Sequence, residues 1–333
     1  MTRDLYIDFL RFLGLSLIIL VHVNPPIDIA QVRCFDVPLM LFVSGLTVSG
    51  SNSNTYKDYI IKRSKRLIIP VWMFLAVYLP ALYFLQFKFL SDQYLTGEMI
   101  IRSFLLLDKS IGYVWIIRIF LIVMLVTPFI QKVNTKVQSQ NMFVLILTLM
   151  FVFLEGTHMI GKYFCESHFV SFLIVDIFQY GLAYSIPFFL GMRCCTMNKN
   201  GQYKLLIFVI VSFAVSLVCY LYCYGLPIII TPNFKSPPHA YYIVYGCFVS
   251  AILWYLKAYA PKWITNKYFV VIGQNTIWIY LWHMPLALIS SRISESWAIR
   301  YVVVYCCAIF FFMIQRYVVN KTNSNFARKY FLG

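Results

Sequence analysis

The first apolar segment of the chain ends in a histidine, a side chain that can transfer protons. The segment, IDFLRFLGLSLIILVH at residues 7–22, contains Asp8, Arg11 and His22. Ionisable side chains at membrane depth are costly, so they usually face a protein interior and mark a pathway or a site. Because an imidazole titrates near neutral pH, His22 has the chemistry of a general base. A histidine at a helix end that contacts headgroups or water is the alternative.

Helical periodicity places these three residues on one stripe. Asp8 and Arg11 are at positions i and i+3, where their side chains share a face and neutralise each other. His22 follows Arg11 by eleven positions, and a turn of about 100° per residue brings it close to the same face. A rise of about 1.5 Å per residue separates Arg11 from His22 by roughly 16 Å along the axis. We therefore expect one face of this helix to carry the Asp8–Arg11 pair deeper in the membrane and the His22 imidazole nearer to its surface.

The composition is that of a protein with many membrane spans. Of the 333 residues, 61% are hydrophobic and 12% are charged, against roughly 25% charged residues in soluble domains. We therefore predict an all-α helical bundle that forms a single integral membrane domain over residues 1–333. Segments near the length that crosses a bilayer predict about ten transmembrane helices, at approximately 5–23, 35–50, 67–85, 114–131, 142–157, 174–193, 203–222, 239–260, 268–290 and 298–319.

The charge pattern predicts the orientation of the chain. The net charge of +16 comes from lysines and arginines spread through short loops between apolar runs, which fits contact with membrane lipids and not with nucleic acid. With the N-terminus in the cytoplasm, most of these residues fall on the inner side, so both termini are predicted to be cytoplasmic. The nine cysteines include no CxxC pair, and no metal site is predicted.

Several motifs, taken in order, resemble the membrane acyltransferase-3 family. The hallmark of that family is an arginine, ten residues and then a histidine, matched here by Arg11 and His22. Further matching stretches cover most of the chain: VPLMLFVSG (37–45), KRSKRLIIPVW (62–72), YVWIIRIFLIVMLVTPFI (113–130), FFLGM (188–192), FKSPPHAYYIVYG (234–246) and IGQNTIWIYLWHMPL (272–286). Each motif is weak by itself, and their order and spacing carry the assignment.

The resemblance implies transfer of an acyl group, usually acetyl from cytoplasmic acetyl-CoA, to a hydroxyl of an extracytoplasmic or lipid-linked saccharide. The implied acceptor is O-antigen, capsule or a related surface polysaccharide at the bacterial inner membrane, and a homo-oligomer is left open. His22 is then the base that takes the proton of the hydroxyl. Arg11 contacts the acyl donor or stabilises the oxyanion, with a structural pair to Asp8 as the alternative.

Three other arginines are candidates for the acyl donor. Arg63 and Arg66 belong to the densest basic cluster of the chain, and by the resemblance they would hold the phosphates of CoA. Ordinary positive-inside topology with contacts to anionic lipids is the alternative. Arg118 lies inside a predicted span, where it either lines a channel or forms a structural ion pair.

The remaining candidates are for substrate binding or for orienting His22. Ser44 either donates a hydrogen bond to substrate or to His22, or forms with Gly45 a pair of small residues that lets two helices approach closely. Tyr241 stacks on a sugar or belongs to an interfacial aromatic belt. His283 contacts substrate or a neighbouring helix, and Asp8 accompanies Arg11. Two aspartates after His22 are candidates for orienting its ring, as a carboxylate often does for a catalytic histidine: Asp28 and Asp36.

A saccharide transporter or flippase is the alternative function. Ten spans with buried charges would suit a permeation path. Transporters often carry internal repeats with broken helices at matching places, and the sequence shows no convincing repeat. The acyltransferase interpretation is therefore favoured.

Overall fold

The structure is a computed structural model that describes residues 4–48, 55–89, 95–107, 110–111, 114–164, 172–225, 228–322 and 324–332, without the side chains of residues 85–89, 159–164 and 176. Throughout these ranges the chain forms helices and turns, and no strand. The prediction of an all-α polytopic bundle is confirmed.

The α-helices follow the apolar runs. They are α1 (Leu5–Val21), α2 (Ile27–Val32), α3 (Asp36–Val48), α4 (Tyr56–Phe89), α5 (Gly97–Phe104), α6 (Trp115–Lys136), α7 (Gln140–Phe164), α8 (Tyr180–Thr196), α9 (Lys199–Tyr224), α10 (Ala240–Tyr255), α11 (Lys267–Gln274), α12 (Thr276–Leu288), α13 (Trp297–Lys321) and α14 (Asn325–Phe331). A π-helical segment, Phe172–Gln179, leads into α8.

Eight helical segments in the described part of the chain are long and apolar enough to cross a membrane. The predicted spans at 5–23 and 268–290 are helical as well but shorter. The first is the 17-residue α1. The second is divided at Asn275, whose non-helical backbone separates α11 from α12 and whose side-chain amide donates to the Val271 carbonyl at 2.7 Å.

The chain is organised in two compact units, each assembled from segments that are distant in sequence. The first unit contains Met1–Ile18, Pro26–Asn52 and Leu125–Phe269. The second contains Ile19–Pro25, Ser53–Met124 and Val270–Gly333. Three of the boundaries fall inside α1, α6 and α11, so these three helices contribute residues to both units.

The first unit is built on a direct backbone contact between α3 and α8. A Cβ atom added to Gly45 would lie 2.0 Å from the carbonyl oxygen of Phe188, and one added to Gly191 would lie 2.0 Å from the carbonyl oxygen of Phe42. Small residues allow such close approach between membrane helices. Helix α10 packs on both α3 and α8, so these three helices form the centre of the unit.

A buried carboxylate at the start of α3 gathers charges within the first unit. Asp36 lies 2.5 Å from Nη1 of Arg33 and 3.5 Å from Nζ of Lys235, and Arg33 also donates to the Leu17 carbonyl at 3.3 Å. A buried charge is tolerated when it is paired and hydrogen-bonded. These contacts tie α1, α3 and the segment before α10 together.

A second polar cluster joins α7, α9 and the start of α10. The Glu155 carboxylate accepts hydrogen bonds from the Tyr220 hydroxyl at 2.5 Å, from the Ala240 backbone nitrogen at 3.1 Å and from Nδ1 of His239 at 3.1 Å. The ring of His158 stacks on that of His239 with a centroid separation of 3.7 Å. These contacts tie α7 to α9 and to the start of α10.

The second unit fixes α12 through tryptophan side chains. Nε1 of Trp278 donates to the Tyr330 carbonyl at 2.8 Å. Nε1 of Trp282 donates to Oε1 of Gln315 at 2.7 Å, and the amide nitrogen of Gln315 donates to the Phe331 carbonyl at 2.7 Å. The last carbonyls of a helix have no partner within the helix. Here Trp278 and Gln315 supply partners for two of them, which attaches the last turn of α14 to α12 and α13.

Candidate active site

His22 lies at the turn that ends α1. It directly follows Val21, the last residue of that helix, and its backbone nitrogen donates to the Ile19 carbonyl at 3.1 Å. Asn24 then takes a left-handed conformation with φ of 52°. Asparagine tolerates this conformation better than most residues, and the two prolines after it stop the helix from continuing. The imidazole of His22 is half-buried.

The imidazole of His22 contacts that of His283. Nδ1 of His22 lies 2.8 Å from Nε2 of His283, and the two rings are stacked with centroids 5.0 Å apart and planes inclined by 17°. His283 is in α12 and is fully buried. Its Nδ1 is hydrogen-bonded to the Tyr280 carbonyl, and the Tyr280 ring lies 4.8 Å from its own. Both histidines belong to the second unit.

The sequence offers two aspartates, Asp28 and Asp36, as candidates to orient the His22 ring. The group at Nδ1 of His22 is the imidazole of His283, whereas the oxygens of Asp36 bind Arg33 and Lys235. Asp28, the other candidate, is exposed in α2. A paired imidazole can take a proton from a hydroxyl, and the hydrogen bond to its neighbour then stabilises the charged ring.

Arg11 and Asp8 form the ion pair that their spacing predicts. Nη1 of Arg11 lies 3.0 Å from Oδ1 of Asp8. The Asp8 side chain is only 1% exposed, whereas that of Arg11 is 27% exposed. The carboxylate is therefore the buried member of the pair, and it holds the guanidinium in the first unit.

The three other arginines lie in the second unit and differ in burial. Arg63 and Arg66 precede the predicted span at 67–85 but lie within a helix, because α4 begins at Tyr56. Arg66 is exposed, and the guanidinium of Arg63 lies 5.8 Å from the centre of the Tyr59 ring. Arg118 is 7% exposed, in the interior of the unit. The side chains of the α4 pair are therefore wholly or partly accessible, and that of Arg118 is buried.

Ser44 and Tyr241 are held by contacts within the first unit. The Ser44 hydroxyl donates to the Met40 carbonyl one turn earlier, at 2.9 Å. Tyr241 is 4% exposed and lies among aromatic rings, with the Tyr220 centroid 5.3 Å away and the Phe213 centroid 6.0 Å away. Their roles in substrate binding stay predictions. In the described residues, no three His, Cys, Asp or Glu side chains are grouped as for a metal ion.

The turn after His22 gives a test of how its position is maintained. Asn24→Ala is expected to lower the melting temperature and the turnover, because the short polar side chain of asparagine can hydrogen-bond locally in the left-handed region, where most residues with a Cβ pay roughly 1–2 kcal/mol. Asn24→Gly, which adopts a positive φ freely, is the matched control and should retain both. Thermal unfolding in detergent and initial rates would be measured for each. Equal loss in the two variants would show that the asparagine side chain, and not the turn, is what matters.

Comparison with known families assigns the chain. A family model described as an acyltransferase domain, of the acyltransferase-3 type, matches residues 4–318, essentially the whole chain. Comparison with curated proteins and with solved structures gives no match.

Proposed function

Because the chain belongs to the acyltransferase-3 family, we propose that it is an O-acetyltransferase that moves acetyl from cytoplasmic acetyl-CoA to a saccharide hydroxyl. The family and the eight apolar helices make it a multi-pass membrane acyltransferase. The donor, the acceptor and the residue roles are the proposal. The family match gives no support to the alternative of a transporter or flippase.

The observation that carries the proposal is the His22–His283 contact, at 2.8 Å. In the proposed reaction, His22 takes the proton of the acceptor hydroxyl while the hydroxyl oxygen attacks the thioester carbonyl. The tetrahedral intermediate then loses the thiolate of CoA, which takes the proton from the His22 imidazolium and leaves as the thiol. General base catalysis of this kind contributes roughly 10²–10⁴-fold to the rate.

The arginines are assigned to the donor. Arg11, held by the buried Asp8, would contact the acyl donor or stabilise the oxyanion through its planar fork of N–H groups. The accessible Arg63 and Arg66 would bind the phosphates of CoA, for which guanidinium groups are suited. Arg118 would line the path of the donor, and Ser44 and Tyr241 would contact the acceptor.

The charge distribution supports the direction of transfer. With both termini in the cytoplasm, the basic residues at 57–66 face the compartment that supplies acetyl-CoA, and His22 lies near the opposite surface. We propose the bacterial inner membrane as the location and O-antigen, capsule or a related lipid-linked or surface saccharide as the acceptor. A homo-oligomer is compatible with this assignment.

A direct assay tests the proposal. The full chain in nanodiscs is given acetyl-CoA labelled on the acetyl group, together with lipid-linked and free saccharides. We expect label in an ester of one acceptor, with one CoA thiol released for each acetyl transferred. Parallel reactions with longer acyl-CoA donors measure the preference for acetyl. Release of CoA with label only in acetate, or movement of the saccharide with no ester formed, would contradict the proposal.

A further inference from the structure

We propose that His283 is a positioning residue that holds His22 in the tautomer with the basic lone pair on Nε2. The inference deepens the proposed function, because it assigns a role beside the proposed base. It rests on a chain of three groups within the second unit: the Tyr280 carbonyl, the buried His283 ring and the His22 ring.

The direction of each hydrogen bond follows from the first acceptor in this chain. A carbonyl oxygen only accepts, so Nδ1 of His283 must carry the proton in its contact with Tyr280. In a neutral imidazole the other nitrogen then carries the lone pair. The 2.8 Å contact between the rings is therefore made by N–H at Nδ1 of His22, which donates to Nε2 of His283. The basic nitrogen of neutral His22 is consequently Nε2.

The same chain stabilises His22 after it takes a proton. The imidazolium has N–H groups on both nitrogens, and the bond from Nδ1 to His283 becomes charge-assisted, which makes it stronger. The proton does not move on to His283, because that ring would become a cation while fully buried and with its Nδ1 already bound to a carbonyl. Burial disfavours the charged form of such a group. His283 therefore orients and stabilises the base without acting as a base itself.

The surroundings of His283 are built to keep its ring in place. It lies on α12 between Trp278 and the end of that helix, and the Trp278 and Trp282 side chains attach α12 to α13 and α14. The Tyr280 ring packs against the imidazole at 4.8 Å. A side chain that orients a catalytic group has to be held in this way, since small displacements of the group reduce the rate.

A carboxylate fills this role beside the histidine of Ser-His-Asp enzymes. A neutral imidazole gives the same tautomer without placing a second charge in the interior of the unit. The competing interpretation is that His283 only packs against His22. The two differ in what they predict for the proton positions and for kcat, so they can be separated.

The first measurement is the tautomer itself. In the full chain labelled with 15N-histidine and held in nanodiscs, we expect neutral His22 with the proton on Nδ1. His158 is an internal reference with the opposite pattern, because its Nε2 is 3.1 Å from the Pro238 carbonyl and must carry the proton. In His283→Leu, we expect His22 to lose its preference for Nδ1–H. A wild-type His22 with its proton on Nε2 would overturn the inference.

The second measurement is the kinetic effect. His283→Leu should lower kcat by roughly 10- to 100-fold, the range found when a group that orients a metal-bound histidine is lost, with KM for acetyl-CoA little changed. His283→Gln places an amide oxygen near the position of Nε2, and it should recover part of kcat. His158→Gln is the matched control and should retain kcat.

These outcomes separate the inference from the proposed function. A folded His283→Leu variant with full kcat would overturn the inference while leaving acyl transfer intact. If the wild-type chain transfers no acyl group, the proposed function fails, and the labelled spectrum still shows whether His283 sets the tautomer. If His283→Leu does not fold, the spectrum of the wild type and the kcat of His283→Gln test the inference. A kcat for His283→Gln no higher than background would overturn the proposed role of Nε2 of His283 as a hydrogen-bond acceptor.

Discussion

His22→Ala is expected to abolish acetyl transfer while the protein still inserts in the membrane and folds. Removal of a general base lowers the rate by roughly 10²–10⁴-fold, and in this structure it also removes the group that His283 orients. KM for acetyl-CoA should change little, because the residues proposed to bind CoA lie elsewhere in the sequence. The measurement is the initial rate of ester formation with purified protein, together with thermal unfolding to verify the fold.

Two controls make this result specific to the imidazole. Added free imidazole should restore part of the activity of His22→Ala, because the small side chain leaves space where the ring was. His158→Ala removes another half-buried histidine and should leave the rate close to that of the wild type. Near-normal turnover by His22→Ala would refute the assignment of His22 as the base.

Gly45→Ala is expected to be the most destabilising small substitution in the first unit. The new Cβ would lie 2.0 Å from the Phe188 carbonyl oxygen, and this neighbour is backbone, which does not move aside as a side chain does. Overpacking a close contact costs roughly 1–3 kcal/mol even where side chains adjust, so we expect a larger loss here. Gly191→Ala meets the Phe42 carbonyl in the same way. The measurement is the melting temperature of each purified variant, with size-exclusion chromatography for aggregation.

Gly156→Ala is the matched control for the two glycine variants. It is also a helical glycine replaced by alanine, on α7, but its added Cβ would meet nothing within 4 Å. Alanine favours a helix over glycine by about 1 kcal/mol, so this variant should be neutral or slightly more stable. An unchanged melting temperature for Gly45→Ala would show that α3 and α8 do not approach as closely as described.

Local spacing predicted the first helix well. The Asp8–Arg11 pair follows from two positions one turn apart, and the structure contains it at 3.0 Å. Hydrophobic length also predicted the helical class, because every apolar run of sufficient length has to satisfy its backbone internally. These features depend on residues that are near one another in the chain, so the sequence alone was enough.

The contact between His22 and His283 was beyond such reasoning. The two residues are 261 positions apart, and both lie in apolar runs that give no signal for their pairing. The sequence offered two nearby aspartates as candidates, and one of them, Asp36, is held by Arg33 and Lys235. The break at Asn275 was missed for a related reason: apolar residues continue on both sides of it, and its side-chain bond to Val271 is visible only in the structure.

The crossing of α3 and α8 restricts how the sequence can drift during evolution. Gly45 lies against the Phe188 carbonyl of α8, and Gly191 lies against the Phe42 carbonyl of α3. A side chain at either glycine would therefore collide with the backbone of the other helix. Trimming Phe188 or Phe42 would leave those oxygens where they are. We therefore expect a genetic screen for second-site suppressors of Gly45→Ala to recover revertants, and no compensating exchange at either phenylalanine.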